Sequence, residues 1–377
     1  MTGESEDYLT PGQLISALMA DRGWSNRVLA TVLAIDETAV SKLITAKRSL
    51  DAPLALVLED VFGVPAERFL DLQKSYELTQ ARLAAKSDPG RANRAQIYGE
   101  LPVAEMIKRG WINADGVRDV TKVQSELMRF FGVNRIDDID GINHAAKKTD
   151  AEAGPTLVQT AWLYRVRQIA REMLVARYTP ANLPGVVQKL KALLLSPEEI
   201  RKIPKILGEA GIRFLVVEAL PASKIDGVCF WLNEDAPVVG LSLRFDRIDN
   251  FWFVLRHEIE HVARRHGLAS EMLDIDVENG SAAVADEERI ANLAAADFCV
   301  PASMMEAFIA RKAPFFREAD IMAFAKMLRV HPGLVAGQLR RRLGRYDRFN
   351  NHIVKIRHIV TPNAITDGWG DVAPLGI

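Results

Sequence analysis

The stretch Phe251-Trp252-Phe253-Val254-Leu255-Arg256-His257-Glu258-Ile259-Glu260-His261 decides how the C-terminal half of this chain is read. Asp249-Asn250 just before it can start a helix. Histidines four residues apart fall on one helical face, one turn apart, where two imidazoles can share a zinc ion. Glu258 stands beside them and can polarise a water on that ion, whose pKa zinc lowers towards ~7. Three of the seven histidines, His257, His261 and His266, lie in this short segment. A catalytic zinc needs a third protein ligand. Asp286, Glu287 and Glu288 open a later helical pattern and offer carboxylates. His266 competes with them, but five residues past His261 is out of phase with the shared face. The bland alternative is a chance pattern on a surface helix.

Working outward, Ile212-Arg213-Phe214-Leu215-Val216-Val217 predicts a strand, as do Val228 to Leu232 and Val238 to Leu243. Asn233-Glu234-Asp235-Ala236-Pro237 supplies turn chemistry, so the last two are expected to pair as a hairpin. Apolar residues elsewhere recur at helical spacing. The expected fold is therefore mainly α with a small β-sheet, an α+β arrangement.

The flanks sharpen the histidine motif. Phe-Trp-Phe-x-Leu-x-His-Glu-x-x-His-Val, followed by Glu288-Arg-Ile-Ala291-Asn292-Leu-Ala-Ala295-Ala-Asp-Phe-Cys-Val-Pro301, resembles the ImmA/IrrE family of zinc metallopeptidases. The resemblance covers about residues 207–340, including Val330-His331-Pro332-Gly333-Leu334-Val335. It implies a zincin-like domain with Zn2+ held by His257, His261 and Glu288, and Glu258 as general base. It also suggests Gly240-Leu241-Ser242 as the sheet edge that takes an extended peptide. Departures are Glu260 where the family has Gly or Ala, Arg256 for a small or apolar neighbour, and Ala294 for Phe. Glu260 could pair with Arg256, Arg264 or His257, or crowd the site.

The N-terminal end has a different texture. Thr10-Pro11-Gly12-Gln13 is a helix start with a capping box and Pro at the first helical position. Leu14, Leu18 and Met19 follow as a helical stripe, and Gly23 ends the helix. Ser25 can cap a second helix carrying Val28, Leu29, Val32 and Leu33. Asp36 can cap a third, with Val40, Leu43 and Ile44 inward. Leu54, Leu56 and Leu58 belong to a fourth helix, and Phe69, Leu70 and Leu72 to a fifth. Two short helices joined by a tight turn form the helix-turn-helix plan, in which the second helix enters the major groove by its N-terminal residues. The exposed positions there are Glu37, Thr38, Ser41, Lys42 and Thr45, with Lys47 and Arg48 at the phosphates. Asn26 and Arg27 open the preceding helix, whose amides can also hold phosphate. The order of Trp24 to Ala30, Ile35, and Thr38 to Ile44 resembles the lambda-repressor-like (XRE) helix-turn-helix family, and the continuation through Gln73 is similar to HigA-type antitoxins.

The four segments are then 1–82, a helix-turn-helix DNA-binding domain; 83–206, a helical connecting region; 207–340, the peptidase-like domain; and 341–377, an extension. In the middle region Val103, Met106 and Ile107, and Leu174 and Val175, mark helical stripes. Arg165, Arg167, Arg171 and Arg177 are expected on a solvated helix face, and Trp111 and Trp162 in a core. Arg340-Arg341-Arg342, Arg345 and Arg348 are also expected on a solvated face.

Composition sets limits. The 377 residues suit two to three domains, and 49% hydrophobic with 26% charged residues is globular. Two cysteines, Cys229 and Cys299, exclude a disulfide framework and suit a reduced compartment. The acidic start Met-Thr-Gly-Glu-Ser-Glu-Asp is not expected to act as a signal peptide, and no apolar run is long enough to span a bilayer. The expected location is cytoplasmic. The net charge is −1, distributed as −4 over residues 1–82, +6 over 83–206 and −3 over the remainder. The DNA-binding end is thus acidic and relies on few cations, so binding calls for a homodimer on two-fold double-stranded operator DNA. The resemblances imply a repressor or HigA-like antitoxin that carries a zinc metallopeptidase domain, with a small toxin protein or a repressor substrate as partner. The alternatives are a site-specific endopeptidase that cleaves a repressor, and an inactive peptidase-like sensor or partner-binding domain.

Overall fold

A computed structural model describes residues 8–84, 90–136, 138–139, 155–268, 272–275 and 286–374. The chain divides into two compact units, Met1–Pro89 and Gly90–Ile377. Residues 83–206 and 341–377, set apart from 207–340 in the sequence, fall almost entirely within the second unit.

The first unit has helices α1 (Pro11–Asp21), α2 (Asn26–Leu33), α3 (Glu37–Ile44), α4 (Ala52–Phe62) and α5 (Ala66–Ala84). Their starts follow the capping chemistry. Thr10 and Gln13 form the capping box with Pro11 in the first turn. Ser25 accepts from the Val28 N–H, and Asp36 Oδ1 accepts from the Ala39 N–H at 2.7 Å. Each such cap contributes about 0.5–2 kcal/mol. Leu14, Ile15, Leu29, Leu33, Val40, Leu43, Leu58 and Phe69 form the core. Gly12 lets α1 approach α3, since a Cβ there would lie 2.2 Å from the Ile44 carbonyl oxygen. The α2 stripe is narrower than its four apolar residues suggest: Leu29 and Leu33 are buried, while Val28 and Val32 are exposed. Leu56 is exposed as well, half a turn from buried Leu58.

The second unit is built on a five-stranded sheet in the order β4-β2-β3-β1-β5. The strands are β1 (Arg213–Val217), β2 (Ile225–Trp231), β3 (Pro237–Leu241), β4 (Met272–Ile275) and β5 (Ile365–Asp367). β2 and β3 form the expected antiparallel hairpin, with Trp231 opposite Pro237 and Gly227 opposite Leu241. β1 runs parallel to both β3 and β5. β3 is therefore interior, and Gly240-Leu241 are paired on both sides, to β1 and to β2. The Ser242 hydroxyl, just beyond, donates to the Ile225 carbonyl in the interior. This stretch is not a free edge, a correction to the sequence expectation; β4 and β5 are the outer strands.

Both faces of the sheet are covered, which is why β2 and β3 are buried along their whole length. Side chains alternate, so Phe214 and Val216 enter one core while Leu215 and Val217 enter the other. The second core is closed by helices of the middle region: α6 (Gly90–Glu100), α7 (Val103–Lys108), α8 (Val120–Phe131) and α9 (Leu157–Glu172). The first is closed by α10 (Leu183–Lys191), α11 (Ile203–Glu209), the histidine helix α12 (Ile248–Arg264), α13 (Asp286–Cys299), α14 (Ala302–Lys312), α15 (Glu318–Leu328), α16 (Pro332–Leu343) and α17 (Arg357–Val360). Mainly α with one small sheet is the architecture.

Three expectations change. Arg165 is not on a solvated face: it is buried and ion-paired with buried Asp367 of β5, an acceptor shared with Trp111 Nε1 at 2.6 Å. Arg340 is also buried and donates to the Tyr346 carbonyl. Leu174 lies past the end of α9 and is 99% exposed, so the helical stripe does not reach it. Trp111 and Trp162 are core residues as expected. Among the described residues no single helix is long and apolar enough to cross a membrane; one bent pair, α13 with α14, meets the length and composition, and of its apolar side chains Ala291, Ala295, Phe298, Met305 and Phe308 are buried while Leu293 and Met304 are exposed.

Candidate metal centre and nucleic-acid face

The histidine helix begins where the chain tail holds it. Its Ile248 N–H donates to the Val354 carbonyl at 3.1 Å, and Asp246 Oδ1 accepts from the Ile356 and Arg357 amides at 3.0 and 2.7 Å. Phe251, Trp252 and Leu255 anchor its apolar face in the core. That fixes the opposite register, in which His257 and His261 are both fully buried with their rings 4.7 Å apart.

His257 Nε2 and His261 Nε2 lie 2.9 Å from each other. Glu288, in the first turn of α13, brings one carboxylate oxygen to 3.1 Å from His257 Nε2 and the other to 3.4 Å from His261 Nε2. These donors can hold one metal ion. Two imidazoles and a carboxylate are a natural cation set, and nitrogens aimed at a common point are expected to repel unless a cation or proton lies between them.

Of the competing third ligands, Glu288 is the residue brought to the histidines. His266 takes another place. Its Nδ1 is 3.0 Å from His261 Nδ1, behind the ring, and its Nε2 is 3.7 Å from a Glu287 carboxylate oxygen. A metal on His261 Nε2 would leave the proton on His261 Nδ1, which would then donate to His266 Nδ1. His266 is held in turn by Trp231, whose Nε1 donates to its carbonyl at 2.8 Å. Sequence phase correctly kept His266 off the shared face; nothing in the spacing showed that the chain would turn back behind His261.

Glu258 is fully buried and packs against β2, where a Cβ on Gly227 would stand 2.1 Å from its Oε1. Glu260 does not crowd the donors. It is clamped by Arg256 at 2.7 Å and Arg264 at 2.8 Å, one turn to either side. Burial pushes its carboxyl up, but the hydrogen bonds from the two guanidinium groups outweigh this and hold it below the usual carboxylate range. Cys299, at the far end of α13, is no donor: burial pushes its thiol up to about 12.

On the first unit, Glu37, Thr38, Ser41, Lys42 and Thr45 are all exposed on α3 and its end, with Thr45 Oγ1 donating to the Ser41 carbonyl at 2.8 Å. Lys47 and Arg48 are exposed, and their amides close the helix end onto the Lys42 carbonyl at 2.8 and 3.1 Å. Asn26 is half-buried at the first position of α2, beside exposed Arg27.

No family model matches the chain, and no curated protein matches it in sequence.

Proposed function

We propose that this chain is a DNA-binding regulator whose second unit is a zinc-dependent endopeptidase. In this reading it is a repressor or HigA-like antitoxin of the XRE type, binds operator DNA as a cytoplasmic homodimer, and acts through an ImmA/IrrE-like unit on a small toxin or a repressor protein. The observation that carries it is the convergence of His257, His261 and Glu288, with Glu258 buried next to the first of them.

The donor chemistry supports zinc. Nitrogen and oxygen ligands suit it, and a set of three protein ligands is the pattern of a catalytic site rather than a structural one. Separations of 2.9, 3.1 and 3.4 Å are near the ~3.3 Å expected between donors of a four-coordinate ion with bonds of about 2.0–2.1 Å. Zinc bound here would polarise a peptide carbonyl and make water acidic enough to attack it at neutral pH. Glu258 takes the proton of the attacking water on its carboxylate and passes it to the departing amine nitrogen. Gly227 leaves the space in which that carboxylate sits. Gly227 pairs with Asp274 of β4, so the outer edge of β4 lies one strand from Glu258. An extended peptide adding to that edge would reach the donors, whereas β5 lies at the other side of the sheet.

On the DNA side, support comes from the exposed row on α3 and the cations at its end. The purified chain is expected to carry one zinc per chain by elemental analysis; less than half an equivalent would count against the site. Glu258→Gln is expected to keep the metal and slow cleavage of a repressor substrate by about 10²–10⁴-fold. Undiminished cleavage and repression in that variant would remove the catalytic reading.

A further inference from the structure

Helix α3 presents one acid to the outside. At about 100° of turn per residue, Glu37, Ser41, Thr45, Thr38 and Lys42 fall in that order across one exposed arc of about 140°. Buried Ala39, Val40 and Leu43 close the other side. Hydroxyls fill the centre of the arc. Lys42 stands at one edge, and Glu37 at the other, in the first position of the helix. Among the described residues the Glu37 side chain makes no hydrogen bond and no ion pair, so none of Arg27, Lys42, Lys47 and Arg48 neutralises it. The helix start is capped without it, because Asp36 Oδ1 accepts from the Ala39 N–H at 2.7 Å.

An unpaired carboxylate is repelled by a phosphate backbone, whose field is negative. One base edge suits it. A carboxylate only accepts, and in the major groove cytosine offers the N4 amine. Guanine offers two acceptors, O6 and N7, and thymine offers O4 and a methyl group. Adenine sets its N6 amine beside the N7 acceptor. We propose that Glu37 reads a cytosine in each half-site of the operator and rejects guanine and thymine there. The inference rests on the operator-binding reading of the first unit and says which base that unit selects. In the helix-turn-helix plan the N-terminal residues of the second helix reach the base edges, and Glu37 is the first residue of α3. Repulsion from the backbone is then offset only where a cytosine amine meets the carboxylate. The acid therefore discriminates against wrong sequences as well as holding the right one.

The test is selection of randomised duplex DNA by the full chain, followed by fluorescence anisotropy on the enriched duplex and its single-pair variants at one fixed salt concentration. The chain is expected to enrich a two-fold repeat with a C·G pair in each half-site, and replacing that pair by G·C or T·A is expected to weaken binding at least about ten-fold, the scale of one charged hydrogen bond. Glu37→Ala is expected to bring all four pairs at that position within about three-fold of one another, while preferences elsewhere in the site hold. Glu37→Gln keeps the shape of the side chain and is expected to move the preference there to A·T, because a carboxamide accepts from adenine N6 and donates to N7. It also reports if Ala loosens the helix start, which circular dichroism reads. An unchanged base preference in both variants overturns the proposal. A uniform gain of affinity on every duplex also overturns it, and makes Glu37 a charge that only repels phosphate. If no sequence is enriched over random DNA, the operator reading itself falls, and the cytosine contact falls with it.

Discussion

At Gly227 a single missing methyl group decides whether Glu258 has room. A Cβ there would meet Glu258 Oε1 at 2.1 Å and Val254 Cγ1 at 2.9 Å, so one of them must move. Gly227→Ala is expected to destabilise the unit by about 1–3 kcal/mol, the scale of overpacking. In the peptidase reading it also lowers activity while zinc content stays intact; an unchanged melting temperature together with full activity would show that the glycine is incidental. His266 acts through His261. In the metal-binding reading, replacing it with Ala removes a neighbour of His261 Nδ1 and is expected to weaken metal affinity about 10–100-fold, read by competition with a chelating dye. The two cysteines give a third check. Both are buried, and with its thiol pushed up to about 12 Cys299 holds almost no thiolate at pH 8. Ellman's reagent is therefore expected to find no reactive thiol in the native chain and two after denaturation.

Helix α3 is eight residues long and its exposed row is set by the alternation with Ala39, Val40 and Leu43, which are buried. The sequence made this face legible, because caps at Ser25 and Asp36 fix where two short helices begin and so which residues point outward. In the operator-binding reading, Ser41→Ala with Lys42→Ala is expected to cost at least about 1–3 kcal/mol of specific affinity, the scale of one base contact. Arg27, Lys42, Lys47 and Arg48 are few cations, so a dimer is expected to show a log–log salt slope no steeper than about −7. Retained operator affinity in the double variant would sink the recognition-helix assignment. Strand β3 was less legible. Its apolar run is the same whether a strand lies at an edge or in the middle, and pairing partners far apart in sequence decide which it is.

The largest rearrangement of expectation is at the level of the whole second unit. Middle helices cover one face of the sheet, and residues 365–373 close it. Arg165 and Asp367, 202 positions apart, form a buried pair within this closure, with Trp111 Nε1 and the Ala373 amide also donating to Asp367. Removing one charge leaves the other buried without it, so Arg165→Ala is expected to cost about 3–5 kcal/mol, visible as a large drop in melting temperature. A drop of less than about 1 kcal/mol would mean that the closure does not depend on this pair. The tail also holds the start of the histidine helix through Val354, Ile356 and Arg357. A metal held by His257 and His261 would bear on the same helix, and in that reading chelation is expected to lower the melting temperature of this unit by the linkage of binding to the folded state. A melting curve indifferent to chelator would argue against a bound metal.

By itself the sequence determined what depends on local chemistry and on helical phase: the capped helices of the first unit, the β2–β3 hairpin, the face shared by His257 and His261, and the poor phase of His266 for that face. These follow from spacings of a few residues, where 3.6 or 2 residues per repeat places each side chain. Tertiary structure alone decided which carboxylate reaches the histidines, what lies behind His261, and why Arg165 is buried. Each of these depends on a partner brought from elsewhere in the chain or on a loop turning back, and on which neighbour takes a charge away from water. A residue's own sequence neighbourhood carries no record of those partners, so the same arginine that spacing assigns to a solvated face becomes a core residue once Asp367 arrives beside it.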